Sequence, residues 1–122
     1  MSEWPSTPAA TENSPGRPVS RPAAARAAAA TATIKAKTRA GYFPGAGPIT
    51  VKMIAERISG RLLGAQIVGL EGAAKRIDIV ATALTAGMTV MDLIDLDLSY
   101  APPFSPVWDP VQTAARQLVK RI

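Results

Sequence analysis

From position 31 to 39 the chain alternates at every second residue. Thr31, Thr33, Lys35, Lys37 and Arg39 interleave with Ala32, Ile34, Ala36 and Thr38, which predicts a strand with one wet face. The same period returns over Ile49 to Arg57, with Ile49, Val51, Met53 and Ala55 on one side and Thr50, Lys52, Ile54 and Glu56 on the other. Between these runs, Gly41-Tyr42-Phe43-Pro44-Gly45-Ala46-Gly47-Pro48 is dense in breakers and reads as a turn. Ser59-Gly60 supplies a second turn, and the more apolar Leu62 to Leu70 is expected to be the central strand of a three-stranded antiparallel meander.

Beyond Gly72 the spacing becomes helical. Ala73 to Ala86 places Ala74, Ile77, Ile79 to Ala81 and Leu84 in a stripe expected to face the sheet, with Gly87 closing the helix. Thr89 and Asp92 have the spacing of a capping box and open a short helix running to about Leu96. Asp109-Pro110 is an N-cap followed by proline at the first helical position, so a last helix runs to about Arg121 and presents Val111, Ala114, Ala115, Leu118 and Ile122. The order predicts an α+β domain: an antiparallel three- to four-stranded sheet with helices packed on one face.

Between the last two helices lies residues 98 to 110, Leu-Ser-Tyr-Ala-Pro-Pro-Phe-Ser-Pro-Val-Trp-Asp-Pro. Pro102, Pro103, Pro106 and Pro110 lack backbone donors and push the residues before them towards extended conformations, so Tyr100, Phe104 and Trp108 ride on a stiff strip. Two readings of it stand. Either the strip docks on another surface or on a bound cofactor, or its aromatics cap this domain's own core.

Composition narrows the chemistry. Of 122 residues 48% are hydrophobic but only 5% aromatic, and much of the apolar count is alanine near the N-terminus, so the core is thin. With no cysteine there is neither a disulfide nor a thiolate site, and with no histidine the commonest metal ligand and acid-base group is missing. A subunit partner is the stabiliser that remains.

The net charge of +5 makes nucleic acid worth weighing, with Lys35, Lys37 and Arg39 as the basic side chains on one strand. The charges are scattered, however, and Met88 to Pro110 carries only Asp92, Asp95, Asp97 and Asp109, which disfavours a nucleic-acid stripe. Capping and exposure account for those acids better than a metal site does. Lys75, Arg76 and Asp78 read as a solvated helix face with local ion pairs. Gly45-Ala46-Gly47 leads into Pro48 and a strand, not into a helix N-terminus, so a phosphate-binding reading fails on context.

Residues 1–21, rich in Pro, Ser, Thr and Ala, are expected to be a disordered tail, residues 22–30 a possible short helix, and residues 31–122 the folded domain. No run approaches the roughly 20 apolar residues needed to span a bilayer, and the N-terminus lacks the pattern of a signal peptide, so a cytoplasmic location is expected.

Five segments carry a resemblance: Gly-Tyr-Phe-Pro-Gly-Ala at 41–46, Gly-Arg-Leu-Leu-Gly-Ala-Gln-Ile-Val-Gly at 60–69, Lys-Arg-Ile-Asp-Ile-Val-Ala-Thr-Ala at 75–83, Met-Thr-Val-Met-Asp-Leu at 88–93 and Tyr-Ala-Pro-Pro-Phe-Ser at 100–105. In this order they resemble the C-terminal dimerisation domain of the pyridine nucleotide-disulfide oxidoreductases, in the branch of coenzyme A disulfide reductases and NADH oxidases. The resemblance implies a homodimer, or pairing with a flavin-containing subunit. FAD and NAD(P)H belong to the complete enzyme, and none is expected to be bound by this chain alone.

The resemblance further implies that Tyr42 and Tyr100 approach the partner's redox cysteine, and that Ala101, Pro102, Pro103 and Phe104 lie towards the partner's flavin. A phenol there could donate a hydrogen bond to a developing thiolate. The departures are as plain. There is no dinucleotide-binding fold and no cysteine of its own, and Phe43 stands where a second tyrosine is common. Three functions therefore remain open: a dimerisation part of a flavin enzyme, inactive in isolation; a stand-alone homodimeric module; and, less favoured, a small basic nucleic-acid binder.

Overall fold

The alternating runs are realised as a sheet whose strands follow one another in space as they do in sequence. The computed structural model describes residues 28–122. Strands β1 (Ala29–Lys37), β2 (Pro48–Glu56) and β3 (Leu62–Gly69) pair antiparallel in the order β1-β2-β3. On the covered face Ala30, Ala32, Ile49, Val51, Met53 and Ala55 are buried, while Thr31, Thr33, Lys35, Lys37 and Lys52 are exposed on the other.

The central strand is β2, not β3 as its apolar content suggested. Both connections are short, so the strand that is middle in sequence is middle in space. A register irregularity between Ile54 and Ala55 brings Leu62 opposite Ala55, and so onto the covered face with Ala65 and Ile67. The possible helix over 22–30 is also corrected at its end. Ala29 and Ala30 are strand, opposite Glu56 and Ala55, because ladder pairing and burial of a small side chain outweigh alanine's helix preference. Residues 22–27 and the expected tail over 1–21 lie outside the described residues.

Among the described residues three helices cover one face: α1 (Ala73–Thr85), α2 (Val90–Ile94) and α3 (Pro110–Val119). Helix α3 lies over β1 and β2, α1 over β3, and α2 packs on α3. The buried core joins Val51, Met53 and Leu62 of the sheet to Val80 and Ala83 of α1, Val90 and Leu93 of α2, and Val111, Ala114, Ala115 and Leu118 of α3. The α+β reading with helices on one face is thus the observed fold.

The stripe on α1 differs from the sequence expectation. Arg76, Val80 and Ala83 are its buried residues, while Ala74, Ala81 and Leu84 are exposed. Ile77, Ile79 and Val80 of the expected stripe do pack on the core, and Arg76 joins them on the buried side. At its C-terminus the Met88 amide donates to the Ala83 carbonyl and the Gly87 amide to Leu84, a Schellman closure that needs the positive φ of 68° at Gly87. Helix α2 opens on the expected capping box, Asp92 N donating to Thr89 Oγ1 at 3.1 Å and Thr89 N to Asp92 Oδ2 at 2.9 Å. It ends at Ile94, and the buried Gln112 side chain donates to the carbonyls of Leu93, Ile94 and Leu96 beside that end, satisfying acceptors there.

Candidate functional site

The β1–β2 loop and the proline strip are brought side by side at one end of the sheet. The strip can donate little of its own, so donors come from elsewhere: Ala40 N donates to the Pro102 carbonyl at 3.1 Å, and Arg76 Nη2 to the carbonyls of Phe104 at 2.9 Å and Thr38 at 3.0 Å. Tyr42 and Tyr100 meet beyond these bonds. The Tyr100 phenol is pushed above its ordinary value, first by its hydrogen bond with Tyr42, which favours the protonated form, then by partial burial and by the neighbouring Tyr42 charge.

The aromatic side chains point outward. Tyr42 is 78% exposed, Phe104 77%, Trp108 47% and Tyr100 44%, and none belongs to the core cluster. The reading in which these rings cap the domain's own core is therefore overturned: the core closes beneath them with Val111, Leu93 and Leu118. Ala101, Pro102 and Pro103 are half-buried. The Ala101 carbonyl accepts from the amides of Phe104 and Ser105, a turn that props Phe104 outward. Trp108 stacks under the Arg116 guanidinium, 4.4 Å from its centroid, and lines a shallow groove with Leu98, Tyr100 and Val107.

Of the residues singled out in the sequence, Tyr42, Tyr100 and Ala101 to Phe104 are brought together. Lys75 and Asp78 form an exposed pair, 3.9 Å apart, as expected for a solvated face. Arg76 does not. It is buried, and its Nε lies 3.1 Å from Asp109 Oδ2, so the sequence reading is corrected there. Asp109 also caps α3, its Oδ1 accepting from Val111 N at 2.9 Å. One signal could have found Arg76: it stands four and seven residues before Val80 and Ala83, on the buried stripe. Gly72 adds a second, since a Cβ there would come within 2.5 Å of Arg76 Nη1.

The Tyr42 loop is pinned separately. Arg39 donates Nε and Nη2 to the Glu71 carboxylate at 2.8 and 2.9 Å and Nη1 to the Pro44 carbonyl, with its guanidinium 5.8 Å from the Phe43 ring. Arg39 lies past the end of β1 and its charge is engaged, which leaves Lys35 and Lys37 of the suggested basic strand exposed. The hydrogen bond from Arg39 holds the Glu71 carboxyl below its ordinary value. A depressed carboxyl contributes order that is present at neutral pH and is lost as pH falls through its folded-state value. The amide NMR shifts of the 39–44 loop should therefore change at a pH below the ordinary glutamate range of about 4.3. Arg39→Gln should raise that midpoint, and an unmoved midpoint would refute the pinning role.

Asp92 is engaged in the capping box and Asp109 with Arg76 and α3. Among the described residues no group of three or more His, Cys, Asp or Glu is placed to hold a metal ion, and no helix is long and apolar enough to cross a membrane.

The sequence profile described as the pyridine nucleotide-disulphide oxidoreductase dimerisation domain matches residues 21–111. The chain belongs to this family. The dimerisation domain is 49% identical over 85 residues to the CoA-dependent NAD(P)H sulfur oxidoreductase of Pyrococcus furiosus, covering 70% of this chain and 19% of that enzyme. It is 40% identical over 72 residues to the coenzyme A disulfide reductase of Staphylococcus epidermidis, covering 59% of this chain and 16% of that one. Among solved structures, the NAD-dependent persulfide reductase of A. fulgidus superposes with a TM-score of 0.74 at 46% identity, over 76% of this chain and 17% of that one. The dimerisation domain thus spans about a fifth of the length of the relatives it matches.

Proposed function

We propose that this dimerisation domain completes the redox pocket of an FAD-dependent NAD(P)H oxidoreductase from across a subunit interface. Tyr42 and Tyr100 face a redox cysteine on the partner, and Ala101, Pro102, Pro103 and Phe104 lie against the partner's flavin. The single observation that carries this reading is a cluster of exposed aromatics, Tyr42 on the β1–β2 loop and Tyr100 and Phe104 on the strip bonded beside it, where an isolated fold has no use for them. A phenol hydroxyl at either position can donate a hydrogen bond to a thiolate as charge develops there. Flavin, when bound in the assembled enzyme, supplies the electron transfer from the nicotinamide. Residues of this chain supply shape and hydrogen-bond donors.

The relatives named for coenzyme A, persulfide and sulfur substrates make a disulfide or persulfide the substrate class to test. The test is a chimera in which the full chain replaces the dimerisation domain of the Pyrococcus furiosus enzyme. NAD(P)H-driven reduction should appear, and the double change Tyr42→Phe with Tyr100→Phe should lower the turnover on the order of 10²-fold with flavin content and dimer unchanged. A double variant turning over at the parent rate would sink the proposal.

A further inference from the structure

Trp108 and Tyr100 are two walls of the groove beside the proline strip. With Leu98, Val107 and the exposed carboxylates of Asp95 and Asp97 they line about 390 Å³ of open space. Neighbouring acids are engaged locally: Asp92 closes the capping box, Asp78 faces Lys75 and Asp109 holds Arg76. Asp95 and Asp97 form no ion pair among the described residues. Asp95 is also the C-cap of α2, an end where a negative charge does not favour the helix.

We propose that this groove is the seat of the chain's own residues 15–21, Pro-Gly-Arg-Pro-Val-Ser-Arg: Tyr100 and Trp108 receive the prolines, and Asp95 and Asp97 receive the arginines. Charge selects this occupant. From Asn13 to Ala27 the chain carries Arg17, Arg21 and Arg26 and no acid, which complements two carboxylates that lack a counter-charge. Shape agrees, because Pro15 and Pro18 have the Pro-x-x-Pro spacing that docks in aromatic-lined grooves, and a fixed φ leaves little backbone entropy to lose. Arg116 stands over the Trp108 ring, 4.4 Å from its centroid, and directs an incoming arginine to the Asp95 and Asp97 side.

The connection is long enough. Arg121 Nη1 donates to the Thr31 carbonyl at 3.0 Å and the Arg57 amide to the Ala28 carbonyl at 2.7 Å, so the described chain begins beside the C-terminal end of α3. The groove lies back along that helix, whose ten residues span about 15 Å. Residues 22–27 cover up to about 20 Å when extended, which brings Arg21 and the residues before it to Gln112 and Trp108. The family profile begins at residue 21, so the docked segment lies almost wholly outside the shared fold. Once seated it shields Tyr100, and a partner subunit meeting that face has to displace it.

The chain has no cysteine, so Ser20→Cys offers one attachment point for a nitroxide spin label on the full chain. In a dilute sample the label should broaden the amide NMR signals of Leu98 and Tyr100 and the indole signal of Trp108, and spare Gln66 and Val68 on the far strand. Asp95→Lys with Asp97→Lys should abolish the broadening while the signals of buried Val51 and Leu118 stay in place. Adding Arg17→Glu and Arg21→Glu to that variant should restore it, since the signs then match again. Should the lysine variant not fold, Arg17→Glu with Arg21→Glu alone should abolish the broadening without touching the described fold.

A parent chain with no broadening in the groove overturns the inference, as does a folded charge variant that keeps it or a fourfold variant that does not regain it. Broadening seen only between labelled and unlabelled chains in a mixture puts the segment on a second copy and overturns its assignment to its own groove. Turnover of the chimera is not read, so this contact and the redox reading can fail separately.

Discussion

Replacing Asp109 by alanine is expected to cost about 3–5 kcal/mol in urea unfolding, because it leaves the buried Arg76 guanidinium without its counter-charge. A part of about 1 kcal/mol belongs to the lost cap on Val111 N. Asp109→Asn separates the two, since the amide oxygen can still accept from Val111 while carrying no charge for Arg76. Asparagine should therefore recover about 1 kcal/mol and no more. Against a total of about 5–15 kcal/mol for a native domain, the alanine variant sits near the edge of folding. If both variants unfold within about 1 kcal/mol of the parent, the buried pair is not the link assigned to it here.

The second large effect is expected at Leu118. Its side chain is 0% exposed and lies where α3 covers β1 and β2, so Leu118→Ala should cost about 2–5 kcal/mol through lost burial and an unfilled cavity. Ile122, beyond the end of the same helix and 39% exposed, provides the contrast: its alanine variant should stay within about 1 kcal/mol of the parent. Equal losses at the two positions would mean that α3 is not seated on the sheet as described.

Much of this was legible along the chain because simple periods have simple geometric consequences. Period two marked the covered face of β2 residue by residue, and Thr89–Asp92 and Asp109–Pro110 marked two helix starts through chemistry local to each. What was not legible depends on partners distant in sequence. Arg76 reads as one more surface cation until Asp109, 33 residues later, is brought beside it. Gln112 reads as polar until three carbonyls at the end of α2 converge on it. The apolar content of β3 was real but misleading, because α1 covers one face of that strand while Val68 and the following Leu70 stay exposed.

For the site, the motifs pointed to two segments that the fold sets side by side through the bond from the Ala40 amide to the Pro102 carbonyl. They could not show that the aromatics of the strip turn away from their own core, since that follows from how the Ala40 amide and the Arg76 side chain set one segment against the other.

A strip that borrows its hydrogen-bond donors from a loop and a helix cannot swing out on its own. Detaching it would strand the carbonyls of Pro102 and Phe104 and uncover an ion pair in one event, so the surface behaves as a template instead of a flap. Whatever molecule meets that template has to do the adjusting.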